Sequence, residues 1–352
     1  MHQNATARSA LVAETLHEYG AIVRDALQDF LPQREPRRFL YDLVADYPAR
    51  GGKMMRPALC IATARALGAP LEYALGPAVS IELLHNALLI HDDIEDESEE
   101  RRGRPTLHLL HGIPLALNAG DTLTLISLRP LLVSAELLGP ELSMRLIEEA
   151  ETMARETAEG QAMELGWRKE NTGGLTVADY LRLVLKKTCW LASIYPVRVG
   201  ALIGSGGAAR LDAFFRFGFF LGAAFQIQDD VLNLVHEDKD YGKEKNGDLW
   251  EGKRTLMLIH LLEHSNSDER RRLAGILEHS RLERSREDIC WMRALMDERG
   301  SIDYAREIAN GLAGAALHEY SLLFAGVPDS PDKRFLREVV PWVIERNGVE
   351  RS

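Results

Sequence analysis

Apolar residues recur every three or four positions along most of the chain, which is the spacing of one face of an α-helix. The first such stripe runs from Leu11 to Phe30 and ends before Pro32 and Pro36, residues that interrupt helices. The same period predicts further helices over residues 59–67, 79–90, 115–138, 142–163, 177–199, 214–234 and 256–262. Several of these segments are apolar on more than one face, which is typical of helices buried inside a bundle.

Glycine and proline separate these helical segments, but no linker rich in serine or proline divides the chain. Patterns of alternating polarity, which would indicate strands, are scarce. The sequence therefore predicts an all-α protein with a single domain over residues 1–352. Polar helices over residues 266–352 are expected to pack against the side of the bundle.

Composition limits the classes of function and the compartment. A chain of 352 residues with 46% hydrophobic residues can bury a large core, and its net charge of −11 argues against a general nucleic-acid surface. Cys60, Cys189 and Cys290 are widely spaced and odd in number, as expected in a reducing compartment. Residues 1–10 lack the pattern of a signal peptide, and we find no uninterrupted apolar run of membrane-spanning length. We expect a cytoplasmic protein without an integral membrane segment.

A first acidic cluster follows the apolar run 81–90 and contains Asp92, Asp93 and Asp96. On a helix, residues four positions apart share one face, so Asp92 and Asp96 can direct their carboxylates to one point. Such hard oxygen ligands suit magnesium, which is commonly shared with substrate phosphates. The alternative is an acidic helix end that only faces solvent.

A second acidic cluster, with Asp229 and Asp230, ends the strongly apolar run 214–227. Carboxylates on so apolar a helix are costly to bury without a metal or a partner. A structural ion pair is the weaker interpretation here. Two acidic clusters on separate helices can face each other across a bundle and hold one diphosphate through several divalent ions.

Basic groups accompany both acidic clusters. Guanidinium and ammonium groups bind phosphate oxygens, although each alone is more often a solvated surface charge. The candidates are Lys53 and Arg56 after Gly51–Gly52, then Arg101 and Arg102, Lys187 beside Thr188, Lys243, and Lys253. Their joint occurrence with two acidic clusters favours a site that ionises an allylic diphosphate in a dry, apolar pocket.

The order of these motifs resembles that of the trans-isoprenyl diphosphate synthases, the polyprenyl synthetase family. Gly-Gly-Lys-x-x-Arg-Pro occupies residues 51–57, Asp-Asp-x-x-Asp residues 92–96, and Arg-Arg-Gly-x-Pro-Thr residues 101–106. Lys-Thr follows at 187–188, Phe-Gln-x-x-Asp-Asp at 225–230, and Gly-Lys-x-x-x-Gly-Asp at 242–248, before Glu-Gly-Lys at 251–253. The resemblance implies an antiparallel bundle around a central cavity, prenyl transfer from an allylic diphosphate to isopentenyl diphosphate, and a homodimer.

The resemblance also assigns roles to individual residues. Asp92, Asp96 and Asp229 are implied as ligands of three magnesium ions, with Asp93 and Asp230 beside them. Arg101, Lys187 and Lys253 are implied to hold the allylic diphosphate, and Lys53, Arg56, His85 and Arg102 the isopentenyl diphosphate. Thr188, Gln226, Asn233 and Lys243 complete the implied pocket.

Two positions depart from the family pattern. Asn233 replaces an aspartate that ends the second motif in many members, and activity is expected to survive because the implied role is supporting. Met54 stands where many members have arginine, so one cation on the isopentenyl side is missing or supplied elsewhere.

Product length is implied by residues upstream of the first aspartates, where aromatic side chains form a floor in family members. Here these positions hold Ala87 and Leu88, and small Ala87 should leave room beyond a farnesyl group. Leu83, Leu84 or a facing helix could stop the chain about a turn deeper, which favours a geranylgeranyl product, with a longer chain as the alternative. We expect Ala87→Phe to shorten it.

Two other functions fit parts of the pattern. A class I terpene cyclase shares the first aspartate motif, but its Asn/Ser/Glu metal motif is not found in this sequence. A non-catalytic subunit of a heteromeric synthase would be expected to lose aspartates or basic anchors, whereas nearly all are present.

Overall fold

The computed structural model describes residues 2–236 and 245–345, with side chains described from Ser9 onward. The described residues form mainly α-helices. They also form two short π-helical segments, Arg37–Tyr41 and Leu185–Ile194, and a two-stranded antiparallel ladder of β1 (Glu100–Arg101) and β2 (Arg104–Pro105). The α-helices are α1 (His2–Gln28), α2 (Asp42–Ala49), α3 (Met55–Ala66), α4 (Leu71–Glu95), α5 (Leu107–His111), α6 (Ile113–Leu138), α7 (Pro140–Lys169), α8 (Val177–Val184), α9 (Tyr195–Gly204), α10 (Leu211–Val235), α11 (Gly247–Glu251), α12 (Leu256–His264), α13 (Ser267–Glu278), α14 (Arg286–Glu298), α15 (Ser301–Leu323) and α16 (Pro331–Glu345). The all-α prediction is confirmed.

The helices begin and end where local chemistry predicts. Gly139 has φ of +80° and separates α6 from α7, whose first residue is Pro140, because glycine tolerates that backbone and proline favours the first helical position. Thr176 caps α8 by accepting a hydrogen bond from the backbone N–H of Asp179, whose side chain bonds back to the Thr176 backbone. The helices therefore have boundaries encoded in short sequence signals.

Two long apolar helices, α4 and α10, form the middle of the bundle. α4 packs along α6 and α3, while α10 packs along α15 and the π-helical segment Leu185–Ile194. Buried side chains form one continuous hydrophobic cluster that extends from Val12 in α1 to Val343 in α16. The C-terminal helices contribute to this core through residues such as Phe335 and Trp342. The division into a single domain with C-terminal packing helices stays a prediction.

Helix α4 is also long and apolar enough to cross a membrane by length and composition, the one such helix among the described residues. The sequence-based expectation found no run of that length. However, 67% of its most apolar window is buried inside the fold. The apolar side chains of α4 therefore serve the packing of a central helix.

Glycines let three segments approach closely around the π-helical segment Leu185–Ile194. A Cβ atom on Gly160 of α7 would lie 2.2 Å from the backbone nitrogen of Lys187. Cβ atoms on Gly218 and Gly222 of α10 would lie 2.6 Å from Cα of Ile194 and 3.0 Å from Cα of Cys189. The π-helical backbone is thus held between α7 and α10 by direct contact. Lys187 and Thr188 take their positions from this contact.

We predict that Gly160→Ala lowers the free energy of unfolding by about 1–3 kcal/mol, because the added methyl group meets backbone that cannot move independently. Denaturant unfolding measures the change. Gly275→Ala in α13 is the matched control, since its Cβ would meet nothing within 4 Å. The control should be neutral or stabilising by about 0.5–1 kcal/mol. Equal effects of the two substitutions would contradict this account of the packing.

Candidate active site

A cavity of about 630 Å³ opens between α4, α7, the π-helical segment, α10 and the segment that follows α11. Its lining combines charged groups with apolar side chains from α4, α7, α8 and the π-helical segment. The predicted residues that line it are Arg56, His85, Leu88, Asp92, Arg101, Arg102, Lys187, Thr188, Gln226, Asp229, Asp230, Asn233 and Lys253. The apolar lining includes Leu88, Leu89, Leu165, Leu183, Val184, Leu191 and Phe225. The structure therefore brings one aspartate of the first acidic cluster and both aspartates of the second to one cavity.

One face of α4 supplies one wall of the cavity. His85, Leu88, Leu89 and Asp92 follow the spacing i, i+3, i+4 and i+7, so they lie along one side of the helix. The carboxylate of Asp92 reaches the cavity with its side chain 25% exposed. A single helical face therefore presents an acidic group and an apolar surface next to each other.

Asp93 points away from this face and is buried. Its carboxylate accepts hydrogen bonds from the Tyr47 hydroxyl and from Arg101, whose Nε lies 2.9 Å from Oδ1. Burial lowers the pKa of Arg101, but Asp93 and Asp92 outweigh this effect and raise the pKa overall. Asp93 therefore fixes a charged Arg101 at the cavity wall.

Asp96, at the C-terminal end of α4, is also buried outside the lining. Its Oδ2 lies 3.0 Å from Nζ of Lys253, and Oδ1 pairs with Arg168. Burial raises the pKa of Asp96, but the cations Lys253, Lys187 and Arg168 together lower it below its usual value. Asp96 thus stays ionised and links α4 to α7 and to the segment after α11.

Helix α10 supplies the opposite acidic cluster. The Tyr180 hydroxyl donates to Oδ2 of Asp230 at 2.8 Å, and the Gln226 amide donates to Oδ1 at 2.6 Å. Thr188 donates in turn to the Gln226 carbonyl oxygen at 3.0 Å. Burial, followed by the nearby charge of Asp248, raises the pKa of Asp230 to about 8. Asp230 is therefore held in a hydrogen-bond network, while its neighbour Asp229 lines the same cavity.

Asn233 connects α10 to the segment after it. Its side-chain oxygen accepts a hydrogen bond from the backbone N–H of Asp248 at 3.1 Å. The backbone carbonyl of Asn233 accepts another from the N–H of Asn246 at 3.1 Å. The amide oxygen accepts the bond from Asp248 as an aspartate oxygen would, which explains how the departure from the family pattern is accommodated locally.

Lys187 and Lys253 are partly buried cations in contact with carboxylates. Nζ of Lys187 lies 3.3 Å from Oδ1 of Asp92 and pairs with Glu164. Nζ of Lys253 lies 2.6 Å from Oε2 of Glu251 in addition to its contact with Asp96. Burial lowers the pKa of each lysine, but the surrounding carboxylates outweigh it and raise the pKa. Both ammonium groups are therefore charged and available to exchange a carboxylate for an anionic ligand.

A second basic group of Arg56, Arg102 and His85 lies near the first. Nη1 of Arg102 donates to the Asn86 side-chain oxygen at 3.4 Å, and Asn86 donates to Glu82 at 2.9 Å. Burial, then the charges of Arg56 and Arg102, lowers the pKa of His85 well below its usual value. The imidazole is therefore neutral at neutral pH and can hydrogen-bond without adding charge.

Besides Asp93 and Asp96, three predicted residues lie outside the cavity lining, and one more falls outside the described residues. Lys53 is exposed, with Nζ 5.8 Å from the centre of the Trp342 ring, and Ala87 and Leu84 are buried in the core without lining the cavity. Met54, the position that often holds arginine, is buried against Gly20 of α1. Lys243 lies outside the described residues.

Several residues at the site were not identified from the sequence. Tyr47, Glu164, Arg168 and Tyr180 lie between or outside the recognised motifs, and each contacts a motif residue through a hydrogen bond or ion pair. Glu164 on α7 is recognised as a charge that needs a partner only once its burial is known, and the sequence does not show that burial. Their roles therefore depend on tertiary contacts.

Comparison with known proteins identifies the class. Residues 37–293 match the family described as Polyprenyl synthetase. A geranylgeranyl pyrophosphate synthase from Geoglobus acetivorans is 32% identical over 337 residues, which covers 96% of this chain and 100% of that protein. The crystal structure of geranylgeranyl pyrophosphate synthetase from Pyrococcus horikoshii Ot3 shares 31% identity and a TM-score of 0.83, covering 96% of this chain and 98% of that one.

A second structure is a polyprenyl synthase from Caulobacter crescentus CB15 complexed with calcium and isoprenyl diphosphate. It shares 26% identity and a TM-score of 0.84, covering 96% of this chain and 98% of that one. The protein belongs to the polyprenyl synthetase family and has the all-α isoprenoid synthase fold. It is an enzyme, a trans-prenyltransferase.

Proposed function

We propose that this enzyme condenses an allylic diphosphate with isopentenyl diphosphate, with geranylgeranyl diphosphate as its main product. The observation that carries the proposal is the shared cavity: Asp92 of α4 and Asp229 of α10 line it together with the partly buried cations Arg101, Lys187 and Lys253 and an apolar wall. The relatives named geranylgeranyl pyrophosphate synthase or synthetase support the same product class.

Magnesium is the proposed metal, and the donors fit it. Of the three proposed ligands of three ions, Asp92 and Asp229 line the cavity and offer carboxylate oxygens of the kind that magnesium prefers. The proposed role of Asp96 rests on the family resemblance, because its carboxylate lies outside the lining and pairs with Lys253 and Arg168. Within residues 2–236 and 245–345, no group of three or more His, Cys, Asp or Glu side chains forms a ready-made metal cage. Magnesium commonly binds to one or two carboxylates and shares its remaining positions with water and substrate phosphate. Bound divalent ions would stabilise the negative charge that develops on the departing diphosphate.

Arg101, Lys187 and Lys253 are proposed to bind the allylic diphosphate. Each is charged, partly buried and in contact with a carboxylate, so an incoming phosphate oxygen replaces one anionic partner with another. Charge-assisted hydrogen bonds of this kind are stronger than neutral ones. As the carbon–oxygen bond breaks, positive groups bound to the diphosphate would stabilise the charge that accumulates on its oxygens.

Arg56, Arg102 and neutral His85 are proposed to bind isopentenyl diphosphate. Burial lowers the pKa of Arg56 to about 10, which still leaves it charged, and its Nε has no hydrogen-bond partner among the described residues. An unpaired buried donor at a cavity wall is expected to bind a ligand acceptor. The proposed role of Lys53 rests on the family resemblance, because its side chain lies outside the cavity lining. The role of Lys243 rests on that resemblance alone.

The apolar wall is proposed to hold the growing chain and to exclude water from the allylic cation. Leu88, Leu165, Leu191 and Phe225 are among its residues. The alkene of isopentenyl diphosphate attacks the cation, and the released pyrophosphate accepts the proton lost afterwards. Leu88, on the face of α4 that lines the cavity, is the proposed contact of the growing chain on this helix.

A homodimer is proposed from an exposed apolar face. α6 packs on α4 with one side and exposes Leu117, Leu125, Leu128 and Leu132 on another, next to exposed residues of α5. Contiguous exposed apolar surface of this kind marks an interface with another protein. We also propose a cytoplasmic enzyme, which agrees with three free cysteines, Cys60, Cys189 and Cys290.

The proposed reaction predicts that the purified chain with magnesium consumes isopentenyl diphosphate only when an allylic diphosphate is present. Asp92→Asn or Asp229→Asn should lower kcat by about 10²-fold or more, because each removes an anionic ligand from the proposed ion site. Asp268→Asn, at a side chain 89% exposed on α13, is the control and should leave kcat unchanged. Hydrocarbon release from an allylic diphosphate alone would instead indicate a cyclase.

Product length should respond more strongly to Leu88 than to Ala87. Leu88→Phe is expected to shorten the main product by placing an aromatic ring in the lining, and Leu88→Ala to lengthen it. Ala87→Phe reaches the cavity only by displacing packed neighbours, so it should shorten the product less and cost about 1–3 kcal/mol of stability. Chromatography of the products measures both variants. A larger shortening by Ala87→Phe would show that the chain runs along a different side of α4.

The dimer proposal predicts that the wild-type chain sediments as a dimer and that Leu125→Asp with Leu128→Asp yields monomers. These side chains are 70% and 44% exposed, so a charge there should disturb association rather than folding. Leu282→Asp, at a side chain 88% exposed in the C-terminal region, is the control and should remain dimeric. A monomeric wild-type chain, or a dimeric double variant, would contradict the proposed interface.

A further inference from the structure

A buried arginine joins the C-terminal region to the active-site segment. Arg284 lies between α13 and α14 and is 8% exposed. Its Nε donates to the carbonyl of Ile276 at 3.2 Å, and its Nη2 donates to the carbonyl of Leu277 at 3.1 Å. Its Nη1 donates to the carbonyls of Leu249, at 3.4 Å, and Trp250. One guanidinium therefore contacts four carbonyls in two separate segments.

These carbonyls belong to the last turns of two helices, α13 and α11. The last carbonyls of a helix lack partners within the helix and carry partial negative charge. A guanidinium, with five donors in a planar fork, can satisfy several of them at once. Arg284 thus caps the ends of α11 and α13 together and fixes one against the other.

The segment held in this way carries site residues. Asp248 of α11 and Lys253 line the cavity. Between them, Gly252 has φ of +70°, and a Cβ atom there would lie 2.6 Å from Nη2 of Arg284. The backbone immediately before Lys253 therefore rests on the guanidinium, and glycine is required for that approach.

A second set of contacts holds the other side of the segment. Arg254 donates to the Asn171 side-chain oxygen at 2.7 Å, to the carbonyl of Thr172 at 3.4 Å and to the carbonyl of Gly252. Asn171, just after α7, donates to the carbonyl of Ala274 in α13 at 3.1 Å. The contacts form a closed ring from α7 through Arg254, Arg284 and α13 back to Asn171.

We propose that Arg284 is a positioning residue for the allylic diphosphate site: it fixes the backbone of residues 248–253 so that Lys253 is directed into the cavity. The inference rests on the proposed function, because Lys253 is one of the cations assigned to that diphosphate. Burying a cation is costly unless its donors are satisfied, and here backbone carbonyls of the site segment satisfy them. The C-terminal region thereby contributes to substrate binding without touching substrate.

The central test measures both Michaelis constants of the full-length Arg284→Gln variant. The KM for farnesyl diphosphate should rise by about tenfold, the size of effect seen when an outer support of a binding group is removed. The KM for isopentenyl diphosphate should change less than twofold, because Arg56, Arg102 and His85 belong to other segments. Arg284→Lys should recover part of the loss, since an ammonium has fewer donors than a guanidinium.

Arg272→Gln is the matched control. Arg272 also belongs to the C-terminal region, but its side chain is 45% exposed and its guanidinium carbon lies 4.0 Å from the centre of the Trp291 ring. Neither KM should change in this variant. Equal rises of both KM values in Arg284→Gln, or no rise in a variant that remains folded, would overturn the proposal.

Asn171→Gly tests the same ring from the side of α7. Asn171 has φ of +47°, which glycine adopts without strain, so the substitution removes the side-chain bonds to Arg254 and Ala274 while keeping the backbone. It should raise the KM for farnesyl diphosphate in the same direction as Arg284→Gln. An unchanged KM in Asn171→Gly, together with an unchanged KM in Arg284→Gln, would refute the ring as a support.

Amide hydrogen exchange of the ligand-free protein separates this inference from the proposed function. Arg284→Gln should accelerate exchange in residues 247–255 and leave α4 unchanged, whether or not the enzyme turns over these substrates. If exchange accelerates and the wild-type chain consumes neither diphosphate, the support stands and the proposed function fails. If exchange in residues 247–255 is unchanged, the support is refuted.

Discussion

Charge compensation inside the cavity is the constraint on which the rest of the structure depends. Carboxylates and cations that are buried or partly buried meet at its wall, and each is stabilised there by the other. Lys187 is paired with Asp92 and Glu164, and Lys253 with Asp96 and Glu251. A diphosphate with its metal ions exchanges partners within this set instead of adding an uncompensated charge. The proposed chemistry is therefore compatible with an apolar bundle.

The compensation works only if the helices that carry these groups approach closely. Gly160, Gly218 and Gly222 allow backbone contact around the π-helical segment, which sets the position of Lys187 relative to α4 and α10. A π-helical turn within an otherwise α-helical segment is frequently found at a functional site. Here it carries Lys187 and Thr188, and the latter extends the hydrogen-bond network of Asp230 through Gln226.

The segment around α11 is held from three directions. Asn233 binds its backbone from α10, Arg254 joins it to the turn after α7, and Arg284 joins it to α13. The cations that act on a diphosphate must lie in fixed positions, because oriented charges stabilise a transition state only when they need no rearrangement. Because α11 is short, its position is fixed by these contacts with α10, α13 and the turn after α7.

The sequence by itself determined the helical class and the identity of most charged site residues. The period of apolar positions specifies helices such as α4 and α10, and the Asp-Asp-x-x-Asp and Phe-Gln-x-x-Asp-Asp motifs name Asp92 and Asp229. Local spacing is enough for these conclusions because neighbours on a helix are fixed by its geometry. The tertiary structure decided which groups share a wall and which are behind it. Asp93 and Asp96 are buried, Lys53 is exposed, and Tyr47, Glu164, Tyr180 and Arg284 act through contacts between distant segments. Such contacts depend on how the helices pack against one another, and the spacing of residues along a single helix does not predict that packing.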